Sequence, residues 1–442
     1  MQKHEWAKWC FGFLVAAGAS GALAAPELVI KNGRPAAIYQ AGETLVWQVS
    51  ARGVEAGAFK EVRYTIKNGG GRTLTEGDLS LAAGQAPVKF AVNEPCALLL
   101  EVTAKTAGAP DLKGLAGALV APDQIAPSAP RPDDFDSFWT AKLAELAAVP
   151  PNPVLTAEES GKPEVAYWKI SMDNIRGTKI RGQLARAARD GKYPAMLLVQ
   201  YAGVYGLPKA NVLGPAAEGW LALNISAHDL PIDEPEAFYQ QQSTGALKNY
   251  VAIGNDDREK SYFLRMFLAC YRAVEYLAHR PDWDGQTLLV TGTSQGGLQA
   301  LVAAGLHSKV TAMMALVPAG CDNTAPLAGR KAGWPYWISN AAGKAEEKAR
   351  ETSRYFDGVN FAARIKCPAL IGVGLVDVTS PPAGVYAAFN LLQGPKEMVV
   401  MPDSDHKGRN NTQAPYRARS AEWRKALLSG NLATITRPAP AP

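Results

Sequence analysis

One stretch constrains this chain more than any other: Leu288-Leu289-Val290-Thr291, then Gly292-Thr293-Ser294-Gln295-Gly296-Gly297, then Leu298-Gln299-Ala300-Leu301-Val302-Ala303-Ala304. The first run is short and apolar, as a buried strand is, and the last is an Ala- and Leu-rich helix former. Between them a serine is flanked by glycine two positions away on either side. A chain passes from strand to helix over so few residues only on a tight turn, where a Cβ at either glycine would strike neighbouring backbone. Such a turn lifts the serine hydroxyl clear of the sheet and aims the unpaired N–H groups of the helix start at it. Gly-x-Ser-x-Gly alone is a common string. The strand before and the helix after are what make Ser294 a candidate nucleophile.

A serine hydroxyl is a weak nucleophile and needs a base, itself oriented by an acid, and on this kind of turn the chain order is Ser, Asp, His. Two histidines follow Ser294. His307 lies at the end of the helix just described and reads as a cap or a solvent-facing residue. His406 sits in the polar loop Met401-Pro402-Asp403-Ser404-Asp405-His406-Lys407-Gly408, directly after the last apolar run, and is the candidate base. The candidate acid is Asp377, at the carboxyl end of Ala369-Leu370-Ile371-Gly372-Val373-Gly374-Leu375-Val376, on the sheet edge that carries the serine. Asp403 and Asp405 are its rivals, but a carboxylate in the histidine's own short loop orients the ring less readily. The backbone N–H of Gln295 and of Val204, in the loop after Met196-Leu197-Leu198-Val199, are the candidate oxyanion donors. Tyr201 and Tyr205 in that loop, His228 after the next strand, and Trp334 and Trp337 in Gly333-Trp334-Pro335-Tyr336-Trp337 are candidate substrate contacts. Aromatic faces suit sugar rings, although a cluster of this kind equally suits a core.

The texture of the chain divides it. Residues 26–121 carry short alternating strands such as Thr44–Val49 and Val62–Ile66, separated by turn signals such as Asn68-Gly69-Gly70-Gly71, which reads as a small immunoglobulin-like β-sandwich. Residues 122–132, with prolines at 122, 127, 130 and 132, read as a linker. Residues 133–430 alternate buried apolar runs with amphipathic helices, the pattern of an α/β fold with a mostly parallel sheet covered on both faces. The runs are Ala195–Val199, Trp220–Ile225, Thr287–Thr291, Ala312–Val317, Ala369–Val373 and Glu397–Met401, with Tyr262–His279 the clearest helix. Residues 431–442 read as a disordered tail. Lys3 and Lys8, an apolar stretch from Trp9, and Ala22-Leu23-Ala24 have the layout of a cleavable export signal over residues 1–25, which implies a secreted or periplasmic protein. Cys10 would leave with it.

The chain is 47% hydrophobic and 20% charged with a net charge of +5, its charges mixed in sign along the length. That is globular composition, with no basic run or zinc spacing for nucleic acid and no apolar run long enough for a membrane span. Cys96, Cys270, Cys321 and Cys367 lack metal-ligand spacing; a Cys321–Cys367 bridge and buried free thiols are the two readings.

Four segments resemble the acetyl xylan esterase/cephalosporin C deacetylase family, carbohydrate esterase family seven. They are Phe135-Asp136-Ser137-Phe138-Trp139, Arg272-Ala273-Val274-Glu275-Tyr276-Leu277, Ser294-Gln295-Gly296-Gly297, and Asp377 with Pro381-Pro382, and the likeness spans roughly Asp133 to Leu428. The resemblance implies an α/β-hydrolase that removes acetyl groups from sugar hydroxyls with Ser294, Asp377 and His406, needs neither metal nor organic cofactor, and forms a homo-oligomer. Where that family's oxyanion loop reads Phe-His-Gly-Tyr, this chain has Tyr201-Ala202-Gly203-Val204, which keeps a backbone donor and drops the two side chains. Two rival readings are a prolyl-oligopeptidase-like peptidase, for which a hundred residues of sandwich are too few to build the usual propeller, and a non-catalytic carbohydrate-binding protein on the same scaffold.

Overall fold

A computed structural model describes residues 25–54, 59–106, 110–341 and 346–431. Residues 1–24 of the expected leader, Cys10 included, and residues 432–442 of the expected tail lie outside the described residues.

In the first hundred residues, period-two patterning makes two sheets. Leu45, Trp47 and Val49 alternate inward along a strand, as do Leu98, Leu100 and Val102 along another, and they meet in one core. The strands are β1 (Glu27–Asn32), β2 (Ile38–Tyr39), β3 (Thr44–Arg52), β4 (Phe59–Asn68), β5 (Thr73–Asp78), β6 (Gln85–Ala91), β7 (Cys96–Thr106) and β8 (Leu112–Val120). One sheet runs β1-β3-β6 and the other β2-β8-β7-β4-β5, antiparallel except for the short β2/β8 pair. The expected all-β region is present.

The proline-rich segment is strapped down along its length. Asn390 Nδ2 donates to the carbonyls of Pro122 and Ile125, Arg330 to that of Ala126 and Arg354 to that of Pro130, while Ser128 donates from backbone and hydroxyl to Asp322 Oδ1 at 2.9 and 2.5 Å. Proline leaves many carbonyls without a ladder, and here side chains satisfy them.

The large sheet holds nine strands: β9 (Val154–Glu158), β10 (Val165–Asp173), β11 (Lys179–Ala187), β12 (Tyr193–Val199), β13 (Leu221–Ile225), β14 (Trp283–Thr293), β15 (Ala312–Leu316), β16 (Ala369–Gly374) and β17 (Lys396–Met401). Their order is β17-β16-β15-β14-β12-β13-β11-β10-β9. Strands β12 to β17 pair in parallel and match the six expected runs; β9, β10 and β11 add an antiparallel edge that the sequence reading leaves out. The helices are α1 (Phe135–Ala147), α2 (Ala210–Glu218), α3 (Glu236–Thr244), α4 (Tyr262–Ala278), α5 (Gln295–Leu306), α6 (Glu346–Tyr355), α7 (Gly358–Ala362), α8 (Pro382–Leu391) and α9 (Ala414–Leu428). Side chains divide by parity. Leu288, Val290, Met313, Ala315, Ala369 and Ile371 pack with α4, α5 and α8, whereas Leu289, Met314 and Leu370 pack with α2 and α9. This two-sided burial is why the strands read as unbroken apolar runs.

The order reverses at β12. The chain moves from it to β13 on one side and later to β14 on the other, which opens a crevice at the carboxyl ends of β12 and β14, where Val199 pairs with Gly292.

Candidate active site

Ser294 follows β14 and is the cap of α5, with φ 57° and ψ −119°. A side chain in that region costs about 1–3 kcal/mol and persists only when its surroundings impose it. They do so here: its N–H donates to the Leu316 carbonyl at 2.9 Å, and its own carbonyl accepts from Ala319 at 3.0 Å and Leu298 at 3.1 Å. The glycines are forced by contact. A Cβ on Gly292 would lie 2.4 Å from Gly296 carbonyl carbon, and one on Gly296 would lie 2.6 Å from Val199 O.

His406 Nε2 lies 2.9 Å from Ser294 Oγ, and His406 Nδ1 lies 2.7 Å from Asp377 Oδ2. The acid is fully buried, and its other oxygen, Oδ1, accepts the backbone N–H of Thr379 and Ser380, each at 2.8 Å. That leaves Oδ2 for the ring and fixes its direction. The two rival carboxylates are elsewhere: Asp405 accepts the N–H of Lys407 and Arg409 within its own turn, and Asp403 is exposed. His307 takes the N–H of Lys309 on Nδ1 and leans on Tyr271, far from this chain of bonds in role.

At the start of α5 the helix ladder begins with Leu298 donating to Ser294, so the N–H groups of Gln295, Gly296 and Gly297 have no helix acceptor. The loop after β12 is clamped by side chains absent from the sequence reading. Gln200 Oε1 accepts the Ala227 N–H at 2.8 Å and its Nε2 donates to the Tyr205 carbonyl at 3.0 Å, while Gln299 Nε2 donates to the Gln200 carbonyl at 2.7 Å. Gln200 stands at a strand's end just before a glycine loop, which could have marked it; Gln299 and Tyr250, whose hydroxyl donates to Gln295 Oε1 at 2.5 Å, carry no local signal.

The candidate substrate contacts separate. Tyr201 is 55% exposed and stacks on Tyr205 with ring centres 4.7 Å apart, on the outer side of the loop. Trp337 is a correction: it is 2% exposed, stacked between Phe263 and Phe356, with its indole N–H given to the Asn255 carbonyl, so it belongs to the core. Trp334 is partly buried edge-on against Phe263. His228 is also not at a rim; it is 3% exposed with both ring nitrogens engaged. Cys321 and Cys367 are both free thiols, Cys321 buried, so the bridge reading falls.

A parallel sheet reversing at β12, a serine on a strained strand-to-helix turn after β14, and a carboxylate and a histidine after β16 and β17 define the α/β-hydrolase class. Residues 123–427 match the family model for acetyl xylan esterase (AXE1). The acetyl esterase Axe7A of Xylanibacter ruminicola is 34% identical over 290 residues, 64% of this chain and 66% of that protein, a little under two thirds of its length. Among solved structures, an acetyl xylan esterase from Paenibacillus sp. R4 superposes with a TM-score of 0.58 at 26% identity, covering 69% of this chain and 98% of that one. Acetyl xylan esterase 1 from Thermoanaerobacterium sp. JW/SL YS485 shares the fold with a TM-score of 0.58 at 22% identity, covering 69% and 97%. The chain belongs to the acetyl xylan esterase family. None of its described helices is long and apolar enough to cross a membrane.

Proposed function

We propose that this protein removes acetyl groups from carbohydrate hydroxyls through an acyl-enzyme on Ser294. The observation that carries the reading is the unbroken chain of hydrogen bonds from Ser294 Oγ to His406 at 2.9 Å and from His406 to Asp377 at 2.7 Å. In this reading His406 Nε2 takes the hydroxyl proton as Oγ bonds to the ester carbonyl carbon. Asp377 holds the proton on Nδ1 and faces the imidazolium as it forms. The carbonyl oxygen becomes an oxyanion between the N–H groups of Gln295 and Val204. Collapse expels the sugar oxygen, which takes the proton from His406. Water then adds to the acyl group with His406 again as base, releasing acetate and restoring Ser294. Tyr201 offers an exposed ring, backed by the partly buried Tyr205 stacked on it, on which a sugar ring can lie.

The acetyl and carbohydrate halves rest on the family and on relatives named for acetyl esters. Export rests on the leader layout of residues 1–25, and a homo-oligomer rests on family likeness alone; N-terminal sequencing of the secreted protein and light scattering test the two. For the chemistry, Ser294→Ala is expected to keep its fold and lose activity on p-nitrophenyl acetate by on the order of 10⁴-fold or more in kcat. A folded, active variant would overturn the assignment. Acetate release from acetylated xylan, acetylated monosaccharides and synthetic esters ranks the substrates.

A further inference from the structure

We propose that His228 is a positioning residue for the oxyanion site: it holds the Gly203 carbonyl so that the N–H at the other end of the same peptide, that of Val204, is presented to the substrate oxygen. The inference rests on the reading of Val204 as a donor and deepens it.

The chemistry of the partners leaves one arrangement. His228 Nε2 lies 2.9 Å from the Gly203 carbonyl oxygen and Nδ1 lies 2.6 Å from the Tyr262 hydroxyl. A carbonyl can only accept, so Nε2 carries the proton; Nδ1 is then the acceptor and the Tyr262 hydroxyl donates to it. The ring is neutral in this state, and burial keeps it so by holding its pKa down at about 4, with Arg265, which lies over the Tyr262 ring, acting in the same direction. The ring plane is set by Tyr250, packed edge-on with centres 4.8 Å apart.

In a trans peptide the C=O and the next N–H point in opposite directions in one plane. Fixing Gly203 O therefore fixes the Val204 N–H. The loop needs this help, because Gly203 sits at φ 128°, where the absence of a Cβ leaves the following peptide free to turn over at little cost. The Val204 N–H itself has no backbone acceptor among the described residues, as a group reserved for a ligand would not. Tyr250 ties the two halves together: it touches the His228 ring and donates to the side chain of Gln295, whose N–H is the other proposed donor.

The test uses the full-length protein and p-nitrophenyl acetate. His228→Phe keeps the ring's bulk without the donor, and His228→Gln replaces Nε2–H with an amide N–H of similar reach. His228→Phe is expected to lower kcat by roughly 10²–10³-fold, the loss typical of one oxyanion donor, with KM moved by less than about threefold, and His228→Gln to recover at least tenfold of that. Circular dichroism and melting temperature report the fold; if the Phe variant does not fold, His228→Asn takes its place, since its shorter amide falls short of Gly203. A folded Phe or Asn variant with wild-type kcat, or a loss that lies in KM and is not recovered by Gln, overturns the proposal. Val204→Pro deletes the donor itself. If that variant is fully active, the oxyanion reading falls; if it is crippled while the His228 variants are not, only the positioning role falls.

Discussion

The residue-level neighbourhood of Ser294, the proposed nucleophile, is legible because most of it lies in one short stretch of sequence. A Cβ on Gly292 would meet Gly296 at 2.4 Å, four residues on, whereas one on Gly296 would meet the distant Val199 carbonyl oxygen at 2.6 Å; Asp377 and His406 each follow a strand end on the edge that carries the serine. Asp377→Asn is expected to leave the geometry intact while stabilising the wrong ring tautomer, with kcat on p-nitrophenyl acetate falling by about 10⁴-fold; a fall below tenfold would remove Asp377 from its role. His228 is different. Its ring partners lie 25 and 34 positions away, so nothing near it in sequence distinguishes a rim residue from a buried one. Its burial has a consequence for stability. The folded pKa of about 4 lies below the ordinary 6.5, so between those values the unfolded chain binds a proton that the folded chain refuses. The stability from this residue is complete above pH 6.5 and is lost as pH falls toward 4, by on the order of 3 kcal/mol. His307, also held at about 4 by burial, contributes in the same direction. Urea midpoints taken from pH 7 to pH 4 are expected to fall, and to fall less steeply in His228→Gln; equal slopes would count against the neutral ring.

Elements were legible in proportion to how evenly they are buried. Strands β12 to β17 are covered on both faces and appear as unbroken apolar runs, which is why their limits agree with expectation to within a few residues. Strand β10 fails the same reading because its inward residues change face partway: Val165 and Tyr167 join the core beneath α2, and Ile170 and Met172 the opposite one. Lys169 sits between the two pairs, bound to Glu158 and Asp233, and blurs the alternation further. Helix α4 illustrates an element held by a buried charge. Arg272, 1% exposed, donates to the Val149 carbonyl at 2.8 Å and the Leu146 carbonyl at 2.5 Å, satisfying the frayed end of α1. Arg272→Met is expected to lower unfolding free energy by about 1–3 kcal/mol, since it takes the side-chain donor from the Val149 carbonyl and one of two donors from the Leu146 carbonyl, which keeps the Val149 N–H, while kcat changes by less than about twofold. Chemical denaturation alongside steady-state kinetics checks both halves.

At the scale of the whole molecule, the β-sandwich and the large sheet share material. Ala37, Ala97 and Leu119 of the first belong to the same apolar cluster as the core strands of the second. The turn at Gly69 to Arg72 exchanges backbone hydrogen bonds with Gly329 and Lys331, and a small crevice at this junction is lined by Leu99, Lys331, Leu375, Val378 and Asp377 itself. One calorimetric transition is therefore expected for the full chain; two well-separated ones would show that the parts melt independently. Gly117→Ala should lower the melting temperature, because its Cβ would lie 2.3 Å from the Leu375 carbonyl oxygen, two residues before the acid.

That single contact also sets a rule for recombination. A proline-rich stretch between a sandwich and an enzyme invites cutting there and exchanging the front piece for another of the same architecture. Here the incoming piece would have to present a residue without a side chain where Gly117 faces Leu375, and a turn able to pair with Gly329, or it would press on the segment that ends in Asp377. A fusion that respects the junction keeps the front piece and joins new sequence ahead of β1.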